Sequence, residues 1–145
     1  MSDIDFSYLL LDKLDPKTGK KIGEILRPYI QLRFSYSHGN PTNLFDALID
    51  SGSDRNLFPL RLGEIIGINF RKIKPVEIYG IGNSVVKAYP SKINIWVNNK
   101  KYETEADFSP SQQTLLLGRS GFFNLFKTVS FDENKAFIHI QFNNS

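Results

Sequence analysis

Cysteine is absent from all 145 residues. That excludes disulfides, thiolate zinc sites and thiol nucleophiles. Histidine occurs only twice, as His38 and His139, far apart in the chain. His38 sits in a Gly/Asn/Pro loop and reads as solvated. His139 alternates with apolar neighbours and reads as a strand residue, not a metal ligand. No Gly-x-Ser-x-Gly elbow is present, so a serine hydrolase of that type is not supported. Long apolar runs are also missing, which leaves no candidate membrane-spanning helix. No dense stripe of one charge sign occurs: the net charge is +3 with 23% charged residues. The short Lys20-Lys21 and Lys100-Lys101 pairs read as solvated turns, and no nucleic-acid contact is expected. Met1 to Asp5 is acidic and polar, unlike a secretory signal, and the expected location is the cytoplasm.

What is there is apolar and aromatic. Hydrophobic residues make up 41% of the chain, and phenylalanine alone contributes 12. That is enough material for a real core in a chain of single-domain length. Most of the pattern is β. Residues 29–34 alternate by face, and residues 44–49 form a second strand. Asp15-Pro16-Lys17-Thr18-Gly19 and Asp132-Glu133-Asn134-Lys135 are turn signals between strand-like runs. Asn98-Asn99-Lys100 separates two more strands, at 93–97 and 102–108. Residues 76–79 and 85–89 flank Gly80-Ile81-Gly82-Asn83, a hairpin tip rich in small residues. Residues 59–66 are the expected helix, opened by Pro59, stopped by Gly67, with Leu60, Leu62, Ile65 and Ile66 as its apolar face. A second short helix is expected within 118–126, after a short buried strand at 114–117.

The chemistry-bearing segment is Asp50-Ser51-Gly52. An Asp-Ser/Thr-Gly triplet arises by chance in roughly one chain in twenty of this length, so context must carry it. Leu48 and Ile49 precede Asp50, which places its carboxylate at the end of a buried strand. Gly52 lets the chain turn away sharply and lets backbone N–H groups approach the carboxylate. Peptide hydrolysis by aspartates needs two such carboxylates sharing one proton. This chain holds one such triplet, so the second carboxylate must come from another copy across a twofold axis. Ser51 can hydrogen-bond to that neighbouring copy.

The segment Ala47-Leu48-Ile49-Asp50-Ser51-Gly52-Ser53-Asp54 resembles the active-site loop of the retropepsins, the retroviral-type aspartic peptidases. Two further segments follow in the family's order. Ile78 through Val85, with Gly80, Ile81, Gly82, Asn83 and Ser84 at its centre, is similar to the flap that closes over bound peptide. Leu115-Leu116-Leu117-Gly118-Arg119 is similar to the apolar-Gly segment packed behind the active loop. The resemblance covers residues 29–141. It implies a mostly β fold, a closed barrel-like half with one or two short helices, which pairs into a twofold homodimer. It implies an aspartic endopeptidase acting on an extended peptide or protein, with no metal or other cofactor. It also implies an ion pair between Asp54 and Arg119, the positions that follow the active loop and the second glycine. Residues 1–28 have no counterpart in the viral pattern and are expected to form an N-terminal β-hairpin extension packed on a 29–145 domain. The helix at 59–66 and the final hairpin depart from compact viral enzymes and look more like cellular or prokaryotic members. A retropepsin-like fold kept only for dimerisation or peptide binding is the alternative function.

Overall fold

The computed structural model describes residues 3–143, with Ile81 described through its backbone. Met1, Ser2, Asn144 and Ser145, the ends of the two expected segments, lie outside the described residues. Among the described residues the strands and helix run in chain order as follows: β1 (Asp3–Ser7), β2 (Leu9–Leu14), β3 (Lys21–Arg27), β4 (Tyr29–Ser35), β5 (Phe45–Ile49), β6 (Leu57–Pro59), α1 (Leu60–Ile65), β7 (Val76–Tyr79), β8 (Val85–Val97), β9 (Lys100–Ser109), β10 (Leu115–Leu117), β11 (Thr128–Asp132) and β12 (Phe137–Gln141). Contacts divide the chain into two compact units. One takes the residues up to Ile30 together with those from Phe126 onward; the other is Gln31–Leu125. No helix among the described residues is long and apolar enough to cross a membrane.

The Gln31–Leu125 unit is a barrel. Its strands follow the order β4-β5-β10-β6-β9-β8-β7, and β4 also pairs with β8, which closes six of them into a ring. Closure removes the open edges that a flat sheet would expose. The alternation read in the sequence has its physical cause here: Leu32, Phe34, Ile93, Ile95 and Val97 point inward and are buried. Between them runs a chain of edge-to-face rings, Phe34 to Phe58 at 5.3 Å and Phe58 to Phe108 at 5.8 Å. Phe70 extends it, 5.5 Å from Phe108 and 5.7 Å from Tyr89. Each such pair adds about 0.5–1.5 kcal/mol beyond the area it buries.

The helices are shorter than expected. Pro59 stands at the N-cap of α1 rather than inside it. Gly67 ends the turn with φ of +95°, where a side chain would be strained. Leu62 is buried as expected, but Ile65 is 49% exposed. The buried stripe is Leu62 and Gly63 instead. A Cβ on Gly63 would lie 2.3 Å from Cζ of Phe70, so the missing side chain is what admits that ring. The helix expected within 118–126 is a single 3-10 turn, Phe123–Leu125.

In the other unit, β2 and β3 form a hairpin around the turn at Asp15, whose carbonyl accepts from Gly19 N at 2.8 Å. β12 lies between β1 and β11, antiparallel to both. The first and last strands of the chain therefore share one sheet. Ile138 and Ile140 are fully buried. The Tyr8 hydroxyl donates to Glu133 Oε1 at 2.7 Å, and burial, with that carboxylate's help, pushes the phenol up to about 12. His139 faces Asp5 directly across the strand pair. Its Nδ1 hydrogen-bonds Asp5 Oδ1, and its Nε2 lies 3.4 Å from Asp3 Oδ2. The Asp5 hydrogen bond, then the two carboxylate charges, raise the imidazole above its ordinary value against a smaller opposing effect of burial.

This cluster predicts a β1–β12 pairing that depends on pH. A raised folded-state value means the stabilisation is fully present below the unfolded value of about 6.5 and is lost as pH rises through the folded one. Thermal melts of wild type and His139→Gln should therefore differ most near about pH 5 and converge near about pH 9. Parallel melting curves with a constant offset at all pH values would show that the imidazole charge does not hold the strand.

Candidate active site

The position of Asp50 follows from strand pairing. β5 runs parallel to β10, with Leu48 opposite Leu116 and Ile49 opposite Leu117. Ala47, Ile49 and Leu117 are buried, so the pair cannot slip by one residue without exposing them. The Asp50 N–H donates to Leu117 O at 2.9 Å, one step past the last paired residue. The carboxylate thus begins where the buried strand ends, and it is half-buried. Gly52 N donates to Asp50 Oδ1 at 2.9 Å, and Ser53 N donates to Asp50 O at 3.1 Å. These two bonds close the turn. Ser51 and Gly52 are exposed at its tip.

The return limb of the loop is tied down residue by residue. Arg119 N donates to Ser53 O at 2.9 Å and Ser120 N donates to Asp54 O at 2.8 Å. Gly118 passes so close that a Cβ there would sit 2.3 Å from Arg55 O. The Ser53 hydroxyl donates to Arg55 O at 2.7 Å. Asn56, fully buried, completes the tie. Its Oδ1 accepts from Gly118 N at 2.9 Å, its Nδ2 donates to Glu105 O at 3.0 Å, and its own carbonyl accepts from Asp107 N at 2.9 Å. One side chain therefore joins the loop to both β9 and the segment after β10.

The expected Asp54–Arg119 ion pair does not form. Backbone hydrogen bonds bring the two segments together, yet both side chains are exposed and no ion pair joins them. Water solvates each charge, so nothing forces them together. The charged brace is one residue along. Arg55 Nε lies 2.8 Å from Asp107 Oδ2 and its Nη2 lies 3.1 Å from Oδ1. The Asp107 side chain is only 4% exposed, against 41% for Arg55. Asp107 faces Leu57 and Pro90 in the sheet, so a buried carboxylate needs this cation. The hydrogen bond to Asp107 raises the guanidinium above its already high ordinary value, more than burial lowers it. Sequence reading missed Arg55, Asn56 and Asp107. The signal was a lone acid inside the apolar run Ala106-Asp107-Phe108.

Above the loop stands the β7–β8 hairpin. Tyr79 pairs with Val85, and Gly80 N donates to Ser84 O at 2.8 Å. The tip is a 3-10 turn, Ile81–Asn83, with left-handed conformations at Gly82 (φ +76°) and Asn83 (φ +63°). Glycine and asparagine are the residues that tolerate this region. Between loop and hairpin lies a cleft of about 640 Å³, lined by residues 52–55, 57, 77–80 and 107. The expected site residues Gly52, Asp54 and Gly80 thus share one cleft with Tyr79 of the expected flap segment, joined by Arg55, Glu77 and Asp107, which were not expected there.

Two substitutions test the brace. Asn56→Ala leaves Gly118 N–H and Glu105 C=O without their partner in a dry place, and should cost about 1–3 kcal/mol in urea unfolding. Arg55→Ala strands the Asp107 carboxylate; with the partly hydrated guanidinium discounting the loss, about 1–3 kcal/mol is expected. The Arg55→Ala, Asp107→Ala double variant should regain part of that, and strict additivity in the cycle would exclude the coupling.

No protein-family model matches the chain, and no curated protein matches it in sequence. Solved structures do. A retropepsin-like aspartic protease from Rickettsia conorii superposes with a TM-score of 0.61 over 97% of this chain and 94% of that one, at 15% identity. The EIAV protease, solved with the inhibitor HBY-793, superposes with a TM-score of 0.51 over 64% of this chain and 82% of its own, at 18% identity. With its closed barrel, its Asp50 loop and these two likenesses, the chain has the retropepsin-like fold.

Proposed function

We propose that the chain is one half of a homodimeric aspartic endopeptidase, with Asp50 from each copy forming the catalytic pair. The observation that carries this reading is the placement of Asp50. Its carboxylate ends a buried parallel strand, in a turn closed by the Gly52 N–H, beside a cleft roofed by a hairpin. A single chain supplies one Asp-Ser-Gly, so the pair requires a second copy and a twofold axis through the loops.

The chemistry follows from two carboxylates that share one proton. The ionised Asp50 takes a proton from water as the water oxygen attacks the scissile carbonyl carbon. The protonated Asp50 of the other copy donates to the carbonyl oxygen, giving a tetrahedral diol. Collapse breaks the C–N bond and returns a proton to the leaving amine. Ser51, exposed beside the pair, is placed to hydrogen-bond between copies, and Gly52 keeps the approach to the carboxylates open. The hairpin tip, Gly80, Ile81, Gly82, Asn83 and Ser84, serves as the flap over a substrate held in strand form. Gly118 supports the loop, with Asp54 and Arg119 joined to it through their backbones. No metal or other cofactor takes part, and the reading places the enzyme in the cytoplasm acting on peptides.

Asp50→Asn should keep the fold and lose at least about 10²–10⁴-fold in kcat, because an amide cannot act as the base. The pH–rate profile of wild type should be bell-shaped, since full protonation removes the base and full ionisation removes the acid. Specific activity should fall on dilution, and an excess of Asp50→Asn chains should poison wild type. Undiminished turnover by Asp50→Asn would overturn the assignment of Asp50, turnover by a chain that sediments as a monomer would overturn the paired site, and no turnover by wild type would leave the fold serving peptide binding or dimerisation instead.

A further inference from the structure

We propose that the cleft beside the active loop is a subsite for a cationic side chain, lysine or arginine, of an extended peptide. This names the substrate class of the site above and rests on the reading of Asp50 as its catalytic group.

The charge balance of the cleft points this way. Three carboxylates, Asp54, Glu77 and Asp107, line it together with one guanidinium, Arg55. Both Asp107 oxygens hold that guanidinium, so the pair is internally neutral and Arg55 has little attraction left for an acidic ligand. Asp54 and Glu77 form no ion pair with any cation among the described residues. They leave two carboxylates without a salt bridge in the cleft of a chain whose net charge is +3; Lys87 stands opposite Glu77 in the strand pair, with its Nζ over the Tyr89 ring, 5.6 Å from the centroid. The local field therefore opposes the global one, and a cleft walled by protein focuses it.

The walls fit the rest of such a side chain. Tyr79 is 72% exposed, the most exposed large hydrophobic residue among the described residues. A large ring left in water beside a cleft marks a contact surface, and an aromatic face attracts cations. Its hydroxyl donates to Glu77 Oε2 at 3.2 Å, which couples ring and carboxylate into one unit on β7. Leu57 on the loop side and Ile78 on the hairpin side offer aliphatic contact to a lysine or arginine stem, while the charged head stays near the carboxylates. An apolar or acidic side chain would gain only part of this.

The test is a set of extended peptides identical except at one position, carrying Lys, Gln or Glu, with that position walked across the scissile bond. At one position kcat/KM should favour Lys over Glu by about tenfold or more, with Gln between them. Added salt should shrink the ratio. The Asp54→Asn, Glu77→Gln double variant, checked for fold by circular dichroism, should bring the Lys/Glu ratio to within about twofold. A preference for Glu, or a Lys preference that survives the double variant, overturns the proposal. Should wild type cleave none of the peptides, the catalytic reading of Asp50 fails by itself, and the subsite is judged by fluorescence anisotropy of the same labelled peptides. There, tighter binding of the Lys peptide that disappears in the double variant sustains the subsite, and equal or absent binding of the Lys and Glu peptides overturns it.

Discussion

The buried amide of Asn56 is the constraint on which the candidate site depends. A polar side chain with no access to water must satisfy its groups or destabilise the fold. Asn56 does so with two segments distant in sequence: its side chain bonds Gly118 N–H and Glu105 C=O, and its own carbonyl adds the Asp107 N–H of the strand that holds Glu105. Each bond has a direction, so the loop that carries Asp50 can take one path across the barrel. Gly118 and Gly121 make room for it. A Cβ on Gly118 would strike Arg55 O, and one on Gly121 would lie 2.5 Å from the Asn56 amide nitrogen. The glycines are there because the amide and the loop backbone occupy the space side chains would need.

Burial decides which charges pair. Asp54 with Arg119 and Arg55 with Asp107 look interchangeable in a sequence, each an acid and a base near the loop. They differ in water. The first two side chains stay exposed and gain little by meeting. Asp107 alternates along its strand with Ala106 and Phe108, both fully buried, so the pleat turns its carboxylate to the opposite face; that face is covered too, and the carboxylate must find a cation there. The same rule explains His139. Its partners Asp3 and Asp5 lie partly in water, and their carboxylates favour the charged imidazole.

Much of the fold was legible because β structure writes itself as alternation and turn chemistry. Strands β4, β5 and β9 lie within one or two residues of the positions that periodicity assigns, the two strands expected at 85–89 and 93–97 are one continuous β8, and the turns at Asp15, Gly80 and Asn98 fall where small and polar residues cluster. The active loop was legible for the same local reason, an apolar strand running into Asp-Ser-Gly. What was not legible depends on register between distant strands. That Arg55 meets Asp107 follows from β6 lying parallel to β9 with Leu57 opposite Asp107, a pairing no local pattern encodes. The exposure of Ile65 was hidden likewise: a helix of six residues presents too little face for an apolar stripe, and Gly63 yields its place to Phe70 from the following turn.

The proposed symmetric site would account for why so much of this small unit is spent on holding one turn. If two Asp50 loops meet across a twofold axis, a displacement of one is repeated by the other, and the separation of the carboxylates changes by up to twice the error. A shared proton tolerates little of that, since the hydrogen bond weakens steeply as its geometry departs from the ideal. A loop held only at its ends would fluctuate too far. The Asp50 loop is instead fixed at Asp50 N, at Ser53 O, at Asp54 O and, through Asn56, at two further strands' worth of backbone. Ser51 is exposed at the tip, where the proposed second copy would meet it. The hydrogen bonds that fix the site thus lie in the backbone behind the carboxylate, while the hairpin opposite carries two residues in the left-handed region at its tip and flanking side chains that face water.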